Sequence, residues 1–577
     1  MRSHRNLFTA LLLAASLAGA ALAAPMRPVH AEHAMVASIH PLASQAGVET
    51  MQAGGNAVDA AVATGFALAV VHPQAGNLGG GGFMLIRTAD GSAHFIDYRE
   101  KAPAAATANM YLDARGNVIE NASLVGYQAI GVPGSVAGLA YAQKKYGKLP
   151  LAQVMAPAIK LARDGYALAW EDAEDLRDGD LTKFPESKRI FQRDGNYYKA
   201  GEVLRQPELA RTLERIAKNP DEFYHGALAQ ELAAVVHKGG GLITADDLAQ
   251  YEVKEREPIR GTYRDYDVIS APPPSSGGIA LVEILNILEG YDLAKSGNRS
   301  ALSIHLTVEA FRRAFFDRAE FLGDPDFAKI PVAQLIDKKY AAGWRESIDL
   351  QRASVSTELH RPEVFNELER YAESHPLPIS PAREPQNTTH YSVVDPAGNA
   401  VAVTTTLNDT LGSRVTAEGL GFLLNDEMDD FASKQGVPNA YGLIQGPANA
   451  IGPGKRPLSA MTPTIVLKDG KLFLVLGSRG GPTIVTTVAN LLMGVVDYGL
   501  DIQEAVNAPR FHHQWLPDEI QAEDRLSVDT LALLRSKGHT MKMHHFWGDG
   551  ECIEVDPKTG ERLGASDGRN NGKAVGF

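Results

Sequence analysis

Residues 54–71 run GGNAVDAAVATGFALAVV, apolar on almost every side. Such a run predicts a helix buried all round rather than one with a wet face, and Pro73 sets its end because proline cannot continue it. The glycines at 79–82 follow, and FMLIRTADGSAHFIDYRE then alternates as a hairpin does, turning at Ala89-Asp90-Gly91. That glycine run lies between a helix and a strand and lacks the GxGxxG or GKS/GKT spacing of a phosphate loop. Close backbone packing is therefore the expected use of it. From about 135 to 260 the Ala/Leu/Val spacing is mostly helical, with a polar break at 174–180. The stretch PPPSSGG at 272–278 is a rigid-then-flexible corner that opens a further apolar helix at 279–288. Residues 345–387 are polar and proline-rich and predict an exposed segment. Strand character returns beyond it. Residues 388–395 alternate, 396–399 carry turn chemistry, and 400–407 form a second strand. A tight hairpin centred between Ala397 and Gly398 sets Thr388 opposite Thr406 or Leu407, with Asn408 one step on. No internal repeat is visible.

Composition narrows the picture. At 577 residues, with 44% apolar and 22% charged positions, the chain can bury a large core. Its net charge of −13 disfavours non-specific nucleic-acid or anionic-membrane binding, which need a basic face. Arg2 and Arg5, an apolar stretch over 7–22 and the small residues Ala21-Leu22-Ala23 read as a cleaved export signal over 1–24. No other stretch is long and apolar enough to span a bilayer, so a periplasmic or secreted protein without stable membrane insertion is expected. Cys552 is the only cysteine, which rules out an intrachain disulfide. With no HExxH and no paired CxxC, neither a metal nor a cofactor is expected. The pairs His512-His513 and His544-His545 read as surface or packing histidines.

Taken alone, the Thr388 hairpin is only a threonine with polar neighbours. The wider sequence changes this. NTTHYSVVD, TLN, LLNDEMDDF, PNAYGL, KRPLSAMTPTIV and the GG of GSRGG closely resemble bacterial γ-glutamyltranspeptidases, as do HPQAGNLGGGGFMLI, IDYREKAP, GVPGSVAG, LARDG and PPPSSGG. The resemblance runs in order from about residue 34 to the C-terminus. It implies an α+β N-terminal-nucleophile hydrolase fold, a four-layer αββα sandwich. It also implies self-cleavage at the Asn387–Thr388 bond, giving a large chain of 25–387 and a small one of 388–577 that remain associated. Thr388 is then the nucleophile, and its freed α-amine the base. Thr406 is the implied hydrogen-bond partner of its hydroxyl, and the amides of Gly480 and Gly481 the oxyanion hole. For a γ-glutamyl substrate such as glutathione, the resemblance assigns Arg99 and Ser459 to the α-carboxylate. It assigns Asn408, Glu427 and Asp430 to the α-ammonium, and Tyr441 to a lid loop.

Three positions depart from the family pattern. The two serines of PLSSM are here Ser459-Ala460, so one hydroxyl is absent. GSPGGSR is replaced by GSRGGPT, which puts Arg479 beside the implied oxyanion hole, either to compensate for that hydroxyl or to face outward. Gly568 stands where proline is frequent. Two other readings remain: a related glutaryl or cephalosporin acylase, and a non-catalytic exported binder of amino acids or peptides that would stay uncut.

Overall fold

The computed structural model describes residues 26–365, 368, 387–434 and 436–577. The leader at 1–24, and most of the second half of the polar segment before Thr388, lie outside the described residues.

Local chemistry first fixes the central hairpin. Thr389–Val394 pairs antiparallel with Ala400–Thr406, with Thr389 opposite Thr405 and Val394 opposite Ala400. Between them the Asp395 carboxylate accepts from the backbone N–H groups of Ala397 and Asn399, both at 2.9 Å. Gly398 takes φ +86°, a conformation that favours glycine. This turn sets the register and carries Thr388 alongside Thr406. Asp395 also accepts from Ala57 N at 3.0 Å, and so ties the turn to the first turn of the helix Ala57–Val71. That helix starts on a capping box, Asn56 with Asp59, and every one of its residues is buried, as its apolar run predicts.

The hairpin lies inside a seven-stranded antiparallel sheet. Its order is Lys573–Gly576, Met35–Ser38, Thr389–Val394, Ala400–Thr406, Gly81–Arg87, Ala93–Tyr98, Lys254–Arg256. A second seven-stranded antiparallel sheet runs Val29–Ala31, Arg562–Ala565, Cys552–Val555, Lys471–Leu476, Thr464–Lys468, Tyr266–Ser270, Ile259–Tyr263. In the first sheet both faces are apolar. Val401 and Val403 pack outward with the helix Ala57–Val71, whereas Ala400 and Ala402 face the core shared with Ile465 and Leu474 of the second sheet. Gly277–Leu288, Ala301–Phe321 and Thr483–Val496 cover the second sheet from its other side. The result is a four-layer αββα sandwich.

The glycine run serves close packing, as expected. A Cβ at Gly80 would meet the Thr406 carbonyl at 2.1 Å, and one at Gly81 the Glu100 carboxylate at 2.5 Å. Of the paired histidines, His512 and His513 are buried whereas His545 is exposed.

Candidate active site

Thr388 sits at the end of a central strand, 4% exposed, where the polypeptide leaves the sheet. Its hydroxyl donates to the carbonyl of Asn387, the carbonyl of the bond expected to be cut. Its N–H donates to Asn387 Oδ1 at 2.9 Å, and the Asn387 amide donates to Gln74 O at 2.8 Å. Thr406 Oγ1 lies 3.5 Å from Thr388 Oγ1 and accepts from Asn408 N at 2.9 Å. Asn408 adopts φ +81°, which asparagine tolerates better than most residues. Its side chain donates to Asp426 O at 3.0 Å, and its carbonyl accepts from Tyr441 OH at 2.7 Å.

A cleft opens beside the Thr388 hydroxyl, walled among others by Arg99, Asn408, Glu427, Asp430, Tyr441 and Ser459. Arg99 is fully buried. Its two terminal nitrogens pair with Glu427 and with Asp430, and Glu100 Oε2 stands 3.6 Å behind. Burial alone would pull the Arg99 pKa down, but the three carboxyl groups outweigh it and hold the guanidinium charged. Glu427 is raised well above the ordinary carboxylate range, by burial first and by Glu100, Asp430 and Asp426 besides, against the pull of Arg99. Burial likewise lifts Glu100 to about 7. The groups expected to take a carboxylate and an ammonium thus pair with each other in the cleft.

Gly480 and Gly481 follow the short strand Ser478–Arg479 with φ of +125° and +54°. A Cβ on Gly481 would strike the Tyr441 ring at 2.6 Å, and one on Gly480 the Thr483 hydroxyl at 2.3 Å. Gly481 and Tyr441 both border the cleft. Ser459 is held by the corner read at 272–278: its N–H donates to Pro274 O at 2.9 Å, and its carbonyl accepts from Ser276 N at 2.8 Å. Ala460 lies beside it in the same wall.

The structure thus brings nine of the ten site residues named from the sequence to one cleft, with Gly480 the chain neighbour of Gly481. Sequence reasoning missed two neighbours. Arg318, on the long helix Ala301–Phe321, also lines the cleft. Its Nε donates to Ser276 Oγ at 3.0 Å, its Nη1 has no hydrogen-bond partner, and burial lowers its pKa to about 10 against the opposing pull of Asp430. Asn77, in the AGNLGGGG stretch, donates to the Thr406 carbonyl at 2.8 Å and accepts from Gly80 N at 3.0 Å, which fixes Thr406 from behind. The only signal for Arg318 was a set of charged residues on a helix otherwise apolar enough to be internal. Arg479 takes neither of its two anticipated positions. It is absent from the cleft wall and reaches the other way, to Asn387 and Asn570. His390, two residues from Thr388, is no base for it. Its ring bonds to Thr404 Oγ1 at 2.9 Å and Ser392 Oγ at 3.2 Å, and burial pushes its pKa down to about 3.

A strand-end threonine between two stacked sheets, with no histidine or cysteine among the described residues placed to activate it, is the arrangement of the N-terminal-nucleophile hydrolases. The γ-glutamyltranspeptidase family model matches residues 43–577, and the chain belongs to that family, whose members act after cutting themselves. It is 50% identical to the glutathione hydrolase proenzyme of Escherichia coli K12, over 98% of this chain and 97% of that one. It is 52% identical to the protein of the same name from Pseudomonas sp. A14, over 92% and 91%. A crystal structure of cephalosporin acylase from Bacillus halodurans superposes with a TM-score of 0.81 at 29% identity, covering 97% of this chain and 98% of that one.

Proposed function

We propose that this protein is an exported γ-glutamyltransferase and glutathione hydrolase. In this reading it cuts its own Asn387–Thr388 bond into chains 25–387 and 388–577, and then carries the γ-glutamyl group on Thr388 to water, an amino acid or a peptide. A periplasmic or secreted location rests on the leader at 1–24; among the described residues no helix is long and apolar enough to cross a membrane.

One observation carries the substrate assignment: Arg99 paired with both Glu427 and Asp430 in the cleft beside the Thr388 hydroxyl. A γ-glutamyl group bears an α-carboxylate and an α-ammonium on one carbon, so it can replace each half of this internal pair with its own opposite charge. Arg99 then grips the carboxylate through its fork, with Ser459 alongside, while Asp430, Glu427 and Asn408 hold the ammonium. The γ-carbonyl falls to the Thr388 hydroxyl. A threonine hydroxyl needs a base within reach, and an α-amine with a reference pKa of ~7.7–8.0 is partly unprotonated near neutrality. Self-cleavage places that amine on the nucleophile itself. Thr406 orients the hydroxyl. Gly480 and Gly481 offer their N–H groups to the tetrahedral oxygen, and losing one such donor typically costs ~10²–10³ in rate.

The second reading, an acylase for glutaryl or cephalosporin side chains, draws on Ala460 and on the likeness to the cephalosporin acylase. A glutaryl group lacks the ammonium and would leave Asp430 without its exchange partner. Hydrolysis of γ-glutamyl and glutaryl anilides by the purified protein decides between them. The γ-glutamyl substrate is expected to be preferred by at least tenfold in kcat/KM, with a small fragment whose sequence begins at Thr388. Preference for the glutaryl anilide sinks the assignment, and an uncut chain that binds glutamate without turnover favours a binding protein.

A further inference from the structure

Arg479 immediately precedes the two glycines, and its short strand Ser478–Arg479 is paired to Asp549–Gly550. Its side chain is 22% exposed and fans out to three partners. Nη1 donates to Asn387 Oδ1 at 3.4 Å, Nη2 donates to Asn570 Oδ1 at 2.5 Å, and Nε stands 3.8 Å from Asp549 Oδ2. Asn387 is buried, and its side chain makes three contacts: Oδ1 accepts from Thr388 N and from Arg479, and Nδ2 donates to Gln74 O. Asn387 carries the carbonyl toward which the Thr388 hydroxyl points.

We infer that Arg479 is a positioning residue for self-cleavage, acting through the Asn387 side chain and having no part in γ-glutamyl transfer. The inference rests on the reading that the chain is cut between Asn387 and Thr388. In that step Thr388 Oγ adds to the Asn387 carbonyl carbon, and its proton passes to the Thr388 nitrogen. The C–N bond breaks, leaving an ester on Oγ and a free α-amine. Water then hydrolyses the ester to an Asn387 carboxylate and the Thr388 hydroxyl. The geometry of the first addition depends on where the Asn387 carbonyl is held relative to Oγ, and small misplacements of reacting groups cost rate steeply. Three contacts on the Asn387 amide fix its residue in place, and the guanidinium supplies the charged one. The same cation stands beside the residue on which the new carboxylate appears, so the cut products gain an attraction that the uncut chain has only in weaker form. Asp549 and Asn570 hold the guanidinium from its far side.

The test follows processing and turnover separately. Freshly made precursor is incubated and its conversion timed by denaturing electrophoresis, for wild type, R479A, R479K, N387A and the R479A/N387A pair. R479A is expected to lengthen the half-time about tenfold or more, as loss of a charge-assisted contact does, and R479K to restore part of it. In the N387A background the added effect of R479A should shrink to less than about twofold, because the residue through which it acts is gone. Once fully processed, R479A should hydrolyse a γ-glutamyl anilide within about threefold of wild-type kcat/KM, with an unchanged thermal midpoint. An unchanged half-time in R479A overturns the assignment, as does full slowing retained in the N387A background. A parallel fall in turnover or in thermal midpoint also overturns it, because either points to a structural or acyl-transfer role. N-terminal sequencing of the wild-type fragment separates the two levels. A start other than Thr388 overturns the cleavage reading itself, whereas a start at Thr388 with no R479A effect overturns Arg479 alone.

Discussion

Ala460 shares the cleft wall with Ser459, where the family pattern has a second serine, and nothing polar in its own side chain meets a substrate. A hydrogen bond to a charged group contributes ~1.5–3 kcal/mol, so Ala460→Ser should lower KM for γ-glutamyl anilide by about tenfold. Because ground and transition states share the α-carboxylate, kcat should stay nearly constant. Steady-state kinetics at fixed pH reads both, and an unchanged KM would show that the missing hydroxyl is made good elsewhere. Arg318 is the available neighbour, a buried guanidinium with an unpartnered Nη1 in the same cleft. At this scale the sequence was partly readable. Thr388 beside Thr406 followed from turn chemistry and a two-residue period, because a hairpin's register is local. The pairing of Arg99 with Glu427 and Asp430 was not readable. Arg99 stands more than three hundred positions from the other two, and no local rule brings them together.

The turn at Asp395 is the element on which the nucleophile's position depends. Its carboxylate serves Ala397 N, Asn399 N and Asn399 Nδ2 within the turn, and Ala57 N at the head of the buried helix. Asp395→Ala leaves all four donors without this acceptor, two of them in the turn backbone that sets the register. A loss of about 2–3 kcal/mol is expected, since a cap alone contributes ~1 kcal/mol and each buried donor left unmet adds to it. A lower thermal midpoint at fixed scan rate checks this, and a midpoint equal to wild type would mean that water replaces the carboxylate fully. The buried helix, the hairpin at 388–407 and the helix after PPPSSGG were legible because apolar runs, turn residues and proline act over a few positions. The short strands Val29–Ala31, Lys254–Arg256 and Lys573–Gly576 carry no such mark. They are strands because a neighbour from far along the chain supplies their ladder.

Across the whole molecule, each sheet contains strands from both sides of the Asn387–Thr388 bond, hydrogen-bonded to one another. Thr389–Val394 lies between Met35–Ser38 and Ala400–Thr406, and Lys573–Gly576 closes the edge beside Met35–Ser38. In the second sheet Thr464–Lys468 pairs with Tyr266–Ser270, and Arg562–Ala565 with Val29–Ala31. Strand order of this kind cannot be read from periodicity, and only the family resemblance indicated the layered fold. Its physical consequence is that cutting one bond frees neither piece. The two chains should elute together at the mass of their sum in native gel filtration and separate only in denaturant. Elution of a free small chain in native buffer would contradict this.

The burial of Glu427 also governs protons. With its pKa raised by burial and by the neighbouring carboxyl groups, this carboxyl binds a proton up to a higher pH than an exposed glutamate does. An arriving ammonium favours the charged form, while the carboxylate that draws Arg99 away opposes it, so occupation of the cleft should change the number of protons bound. By linkage, affinity then varies with pH through the interval between the pKa values with and without substrate and levels off outside it. Calorimetry of glutamate binding to the processed protein in buffers of different ionisation enthalpy would reveal this as an observed heat that varies with the buffer. In Glu427→Gln, which has no proton to lose at this position, that variation should shrink, leaving only what Glu100 and the Thr388 amine supply.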